Sequence, residues 1–144
     1  MKPRHTVRVA SYVMLQRDAK ILMLRRYNTG YEDGKYSFIA GHVEAQESCT
    51  QAALREAREE AGIDLELGDL HVAHILHRLA PDAEIIDVFY SAPKWHGEIA
   101  NREPHKCDDL RWFPMNRLPR NTIGYIRHVI EHIQRGVMYS EYGW

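Results

Sequence analysis

One helix, whose start and end are both marked in the sequence, constrains the fold more than any other feature of the chain. Ser48 followed three residues later by Gln51 is a capping box, in which each side chain accepts a hydrogen bond from the other residue's backbone N–H. Gly62 supplies the residue type that ends helices in a left-handed conformation. Four residues at helical spacing form one side, namely Thr50, Leu54, Ala57 and Ala61. We therefore predict a helix that begins after Glu47, ends at Gly62 and packs this side against a core.

The same helix carries three glutamates close together. With Glu56 at 0°, Glu59 lies at about −60° and Glu60 at about +40°, so all three project from one face, opposite the predicted core side. Like charges at this spacing repel by roughly 0.2–0.5 kcal/mol per pair. Spacing alone fits a solvated face, on which Arg55 and Arg58 partner the carboxylates. The glycine turn before the helix favours a second interpretation, a platform of oxygen ligands for a hard divalent cation such as Mg²⁺.

Strand patterns surround this helix. Runs rich in β-branched and aromatic residues predict strands at 6–15, 21–26, 38–41, 69–79, 84–95 and 110–114. A second helix is predicted over 121–136, with Asn121 as a plausible N-cap, an isoleucine stripe and Gly136 as its stop. The sequence therefore predicts one mixed α/β (α+β) domain spanning residues 1–144.

Charge and cysteine content exclude several classes of protein. Nineteen Lys and Arg residues against twenty Asp and Glu residues leave a formal charge of −1, which argues against a general nucleic-acid or membrane-surface binder. Cys49 and Cys107 have neither disulfide-scaffold nor zinc-ligand spacing. The N-terminal apolar run is too polar for a signal peptide and too short to span a bilayer. We expect a cytoplasmic protein, without a membrane or nucleic-acid partner.

The segment GHVEAQESCTQAALREAREEAGI, residues 41–63, resembles the Nudix box at every fixed position. That motif reads G-x5-E-x7-R-E-U-x-E-E-x-G-U, where U is aliphatic, and its fixed polar and glycine positions are Gly41, Glu47, Arg55, Glu56, Glu59, Glu60 and Gly62. Ala57 is smaller than the usual aliphatic residue. Ala40 and Gln46 stand where glycine is common in the family, so we expect an altered loop geometry without loss of activity.

The resemblance implies a fold and an activity. The fold is the α/β/α sandwich with a mixed β-sheet, and the activity is Mg²⁺- or Mn²⁺-dependent hydrolysis of a nucleoside diphosphate linked to another moiety. A nucleoside triphosphate cleaved to the monophosphate and pyrophosphate is the first expectation, supported by EPHKCDDLRWFP (103–114), which resembles EPxKCxxWxW of triphosphate-cleaving members. The alternatives are a nucleotide sugar, ADP-ribose or a dinucleoside polyphosphate as substrate, or a non-catalytic nucleotide sensor. Arg78 stands where ADP-ribose members have proline, which weakens that alternative.

The resemblance also implies roles for the motif residues. Glu59 and Glu60 are expected to be the principal metal ligands. Glu56 is expected to be either a third ligand or the base that activates water. Arg55 is expected to pair with a carboxylate of the motif, Glu47, and so orient the ligand face.

Two positions before the helix and one loop beyond the fourth or fifth strand complete the expected metal site. Gly41 is expected to bend the chain so that a main-chain carbonyl reaches the metal, and Glu44 is a further possible ligand. Family members often draw another carboxylate from the later loop, for which this chain offers Glu98, Glu103, Asp108 and Asp109. Among these we favour Glu103.

Substrate-binding candidates outside the motif are fewer. Arg26 ends a strand, where its planar fork suits a polyphosphate. Tyr27, Tyr31 or Tyr36 is placed to stack on a base, although an equally good interpretation is that they pin the loop to the protein body. Asn121 is positioned either to read a purine edge or to cap the second helix. A small-molecule nucleotide is the expected ligand, and a homodimer is possible.

Overall fold

The computed structural model describes residues 1–144 as a mixed β-sheet with one helix on each face. The elements in chain order are β1 (Arg8–Arg17), β2 (Lys20–Arg26), β3 (Tyr36–Ser37), β4 (Ile39–His42), α1 (Cys49–Ala61), a short 3₁₀ helix (Leu67–Asp69), β5 (His71–Ala80), β6 (Ala83–Ala92), β7 (Cys107–Pro114), α2 (Gly124–Gln134) and β8 (Tyr139–Tyr142). No helix has the length and apolar character needed to cross a lipid bilayer. The predicted α/β/α architecture is confirmed.

Strand β1 is the centre of the sheet. The strand order is β3-β2-β1-β6-β5-β8, with β4 paired to β1 and β7 paired to β2. β1 runs parallel to β6 and antiparallel to β4, where Ser11 lies opposite Gly41. This pairing holds β4 beside α1, because both elements contact β1.

The two sheet faces bury separate cores. Along β1, Tyr12 and Met14 belong to the core under α2, whereas Val13 and Leu15 belong to the core under α1. Successive side chains of a strand point to opposite faces, so a strand covered on both sides is apolar throughout. The continuous apolar run in β1 follows from this double covering.

The bounds of α1 are those predicted, but its buried side is broader. The Ser48 and Gln51 side chains form the capping box, and Gly62 adopts φ +68° at the C-cap. Thr50 and Leu54 are only half-buried. The buried residues are Ala52, Ala53, Glu56, Ala57 and Ala61. Because four of these five are alanines, the helix lies close to the sheet.

The predicted N-cap of α2 is wrong. Ile123 occupies the cap position, and no side chain bonds the first turn. The Asn121 side-chain amide instead donates to the Gly34 carbonyl at 2.8 Å, which ties the preceding loop to the 27–35 loop. Gly136 follows the helix with φ +74°, as expected of a stop residue.

Gln46 keeps the backbone conformation that glycine favours. Its φ is +62°, in the left-handed region. The altered loop geometry that we expected from the loss of glycine is therefore absent at this residue. A non-glycine residue there costs roughly 1–2 kcal/mol, against about 0.5–1 kcal/mol of extra chain entropy lost by glycine.

We predict that Gln46→Gly raises the free energy of unfolding by about 0.5–1 kcal/mol. Urea denaturation measures this change. Ala45→Gly is the matched control, because Ala45 is exposed in the same loop without a positive φ, and it should lower stability. Equal effects of both substitutions would contradict a strained backbone at Gln46.

Candidate active site

Arg55 forms hydrogen bonds with several polar groups between β4 and α1. Its guanidinium donates to both Glu47 carboxylate oxygens at 2.8 and 2.9 Å, and to the His42 carbonyl at 3.1 Å. It also donates to Glu56 at 2.7 Å and to Glu59 at 3.4 Å. Hydrogen bonding from Arg55 lowers the pKa of Glu47 to about 2. The Arg55–Glu47 contact expected from the motif is present, and it fixes the direction in which Arg55 faces the helix carboxylates.

Two of the three helix glutamates point toward the sheet. Glu56 is only 9% exposed and lies against Gly41, whereas Glu60 is partly buried and accepts a hydrogen bond from the Ala40 backbone N–H at 3.3 Å. Glu59 alone is exposed. The prediction that all three project away from the core is therefore wrong for Glu56 and Glu60. The small residues of β4 leave room for carboxylates that a helical projection alone would place in solvent.

Gly41 serves a different structural purpose from the one expected. It lies in extended strand β4 and pairs with Ser11, so the predicted bend is absent. A β-carbon at this position would overlap the Glu56 carboxyl group. Glycine is needed because a side chain approaches the backbone closely, which is a recurrent reason for glycine within a strand.

Burial makes the charged forms of the inner carboxylates costly. It raises the pKa of Glu56, and it raises the pKa of Glu60 well above the ordinary glutamate range, with the neighbouring Glu56 adding to the shift. Hard divalent cations take carboxylate oxygens and offset such repulsion. The donor set of Glu56, Glu59 and Glu60 therefore fits Mg²⁺ or Mn²⁺.

These carboxylates line a cavity of about 420 Å³, here called the carboxylate cavity. Its other lining residues are Leu24, Arg26, Asn28, Thr29, Ala40, Glu103, Lys106, Cys107 and Leu110. Of the residues predicted outside the motif, Arg26 and Glu103 thus reach the site. Lys106 was missed, although it stands in the EPHKC segment that drew attention to this loop. The cavity combines at least four carboxylates with two cations.

Three polar contacts position those cations. Arg26 donates to the Tyr31 carbonyl at 2.6 Å and to the Thr29 hydroxyl at 3.1 Å. The Lys106 ammonium lies 3.9 Å from a Glu103 carboxylate oxygen. Arg26 is therefore held by a carbonyl and a hydroxyl, Lys106 lies near a carboxylate, and both cations line the space where an anionic ligand would enter.

Several predicted residues do not reach the carboxylate cavity. Tyr27 is 49% exposed and does not line the carboxylate cavity. Asn121 is exposed and is engaged with Gly34. Glu44 is exposed, and its carboxylate lies 3.8 Å from Arg55. The other loop carboxylates, Glu98, Asp108 and Asp109, line a groove beside Trp95 and Trp112.

A second cavity of about 430 Å³ adjoins the first and shares Arg26 and Ala40 with it. We call it the tyrosine cavity, because Tyr12, Tyr31 and Tyr125 line it. It lies on the α2 side of the sheet, where Tyr12 and Tyr125 belong to the buried core. Of the three tyrosines proposed from sequence to stack on a base, only Tyr31 lines this cavity.

Comparison with known proteins places this arrangement in a family. The family model of the NUDIX domain matches residues 4–133. A CTP pyrophosphohydrolase from Escherichia coli (strain K12) is 34% identical over 100 residues, which cover 69% of this chain and 70% of that protein. An NAD-capped RNA hydrolase, NudC, from Stutzerimonas stutzeri (strain A1501) is 32% identical over 107 residues, and this chain covers only 36% of its length.

A solved structure shows the same fold. The crystal structure of a MutT NUDIX hydrolase from Burkholderia pseudomallei superposes with a TM-score of 0.80 at 27% identity, covering 88% of this chain and 98% of that one. Together with the complete Gly41-to-Ile63 motif and the match over residues 4–133, it shows that the chain belongs to the NUDIX family of hydrolases.

Proposed function

We propose that the protein is a Mg²⁺- or Mn²⁺-dependent pyrophosphohydrolase that converts a nucleoside triphosphate to the monophosphate and pyrophosphate. One observation carries the proposal: three helix carboxylates, two of them with pKa values raised by burial, face a cavity whose wall also holds Arg26 and Lys106. Such a site pairs ligands for a hard cation with donors for phosphate oxygens.

Glu56, Glu59 and Glu60 would hold the cation, with Glu103 available from the β6–β7 loop. When bound, the cation supplies charge neutralisation on the phosphoryl oxygens as water attacks phosphorus. Arg55 restrains Glu56 and Glu59 through its two hydrogen bonds to them. Since Glu47 anchors the other edge of the same guanidinium, the ligand face is set before a cation arrives.

The remaining residues of the site act on the substrate. Arg26 and Lys106 would donate to the polyphosphate, and their positions on the wall of the carboxylate cavity orient its phosphorus atoms toward the glutamates. In the hydrolysis step the water oxygen bonds to a phosphorus of the diphosphate, the bridging P–O bond breaks and pyrophosphate leaves. The water proton passes to a carboxylate of the site or to solvent.

The tyrosine cavity supports a nucleoside as the other part of the substrate. Its volume of about 430 Å³ is in the range of small-molecule sites. Because it meets the carboxylate cavity at Arg26, a nucleoside held there would direct its phosphates past that guanidinium. The similarity to a CTP pyrophosphohydrolase agrees with a triphosphate substrate.

A substrate panel tests the proposal. The purified chain is incubated with the four ribonucleoside triphosphates, ADP-ribose, UDP-glucose and diadenosine tetraphosphate, with MgCl₂ or with excess EDTA, and products are separated by anion-exchange chromatography. We expect monophosphate and pyrophosphate from triphosphates, and no product in EDTA. Turnover restricted to ADP-ribose, sugar or dinucleoside substrates would replace the triphosphate assignment. No turnover of any substrate would refute the catalytic proposal.

A further inference from the structure

A buried ion pair lies at the edge of the tyrosine cavity. Arg78 of β5 is 5% exposed and Asp87 of β6 is fully buried. The Arg78 Nε donates to one Asp87 oxygen at 2.8 Å, and Nη2 donates to the other at 3.3 Å. Asp87 therefore occupies the edge of the guanidinium formed by Nε and Nη2, and both of its carboxylate oxygens accept a hydrogen bond.

The other edge of Arg78 remains available to a ligand. Arg78 lines the tyrosine cavity, whereas Asp87 does not. Its guanidinium carbon lies 3.9 Å from the centre of the Tyr125 ring, and Nη1 makes only a long 3.4 Å contact with the Tyr31 hydroxyl. One N–H on each terminal nitrogen, Nη1 and Nη2, is thus left for a partner, and the orientation of both is fixed by Asp87 and by stacking on Tyr125.

A purely structural explanation accounts poorly for this pair. Replacing buried ion pairs with apolar residues of similar size is often neutral or stabilising, so stability alone does not explain a charged pair that lies against Tyr125 of the core under α2. An arginine fork that Asp87 holds from behind, and that lines a cavity with one N–H left on each terminal nitrogen, has the arrangement of a recognition group.

We propose that Arg78 determines base specificity by donating two hydrogen bonds from Nη1 and Nη2 to two adjacent acceptors of the base. This inference rests on the proposed function, which places a nucleoside in the tyrosine cavity. Cytosine offers such a pair in O2 and N3, and guanine offers one in O6 and N7. Adenine and uracil have a donor beside the acceptors on the corresponding edges, so the fork meets one mismatched group.

Asp87 has a positioning role in this proposal. Asp87 does not line the cavity, and its two hydrogen bonds to Arg78 prevent the guanidinium from rotating. Its location on β6, diagonally across from Arg78 on β5, ties base recognition to the register of these two strands.

The test compares base preference in the wild type with that in two variants at Arg78. We expect kcat/KM for CTP and GTP to exceed that for ATP and UTP by at least about tenfold, the usual range for one bidentate pair. Arg78→Lys keeps the charge but lacks the planar fork, so it should bring this ratio close to one. The double variant Arg78→Met/Asp87→Leu should do the same without leaving a buried unpaired charge. Arg127→Lys, which changes an arginine that donates to the Pro119 carbonyl outside both cavities, should leave the ratio unchanged.

A binding measurement separates this proposal from the catalytic one. Dissociation constants for α,β-methylene triphosphates of the four nucleosides, measured calorimetrically with MgCl₂, report base preference without turnover. Tighter binding of the cytosine and guanine analogues, lost in both Arg78 variants, supports the inference even if no triphosphate is hydrolysed. Equal binding of all four analogues by the wild type, or variants that weaken all four equally, would overturn it and leave the ion pair as a structural brace.

Discussion

Glu60→Gln should lower turnover by about three orders of magnitude at saturating Mg²⁺, equivalent to about 4 kcal/mol in the activation free energy. The amide has nearly the same shape and can still accept the hydrogen bond from the Ala40 N–H. It lacks the negative charge that a cation requires from its ligand. Steady-state kinetics on the best triphosphate of the panel, with circular dichroism to verify folding, measures the loss. The exposed Glu131→Gln on α2 is the control and should retain full activity.

The same variant should be as stable as the wild type, or more stable, in EDTA. Burial raises the pKa of Glu60, so the folded state binds its proton more tightly than the unfolded chain does. Wild-type stability must therefore fall as the pH rises from the ordinary glutamate pKa, about 4.3, through the folded-state value. The amide of the variant does not titrate, and the difference in melting temperature between variant and wild type should widen over that interval. A large loss of metal-free stability in the variant would instead assign Glu60 a structural role.

Gly41→Ala should lower kcat by about a hundredfold and reduce stability by about 1–3 kcal/mol. The new β-carbon would occupy the position of the Glu56 carboxyl group and displace it from Arg55. Kinetics and urea denaturation measure the two effects. Gly68→Ala is the control, because a β-carbon there meets no atom within 4 Å and the backbone has no positive φ. Near-normal activity of the Gly41 variant would show that the close packing against Glu56 is dispensable.

Local hydrogen bonding explains which parts of the fold could be predicted from sequence. The start and end of α1 depend on Ser48, Gln51 and Gly62, which act on backbone groups within a few residues. The predicted cap of α2 was wrong because Asn121 does not bond the nearby helix. Its side chain bonds Gly34, which lies in a loop far away in the sequence. The six predicted strands lie close to their observed positions, because β-branched and aromatic residues mark them directly, whereas the short strands β3 and β8 were not predicted.

The candidate site also has features that local sequence predicts and features that depend on tertiary packing. The sequence by itself determined that the three glutamates share one helix face, because helix geometry fixes the angles between them, and the resemblance to the Nudix box added the pairing of Arg55 with Glu47. Only the tertiary structure decided that Glu56 and Glu60 lie under β4, and that Arg78 faces a cavity on the other side of the sheet. These outcomes depend on strand pairing and on the small residues at positions 40 and 41, which bring together groups far apart in the chain. Periodicity within one element carries no information about such packing, and it therefore grouped the three glutamates on one face without indicating that two of them are buried.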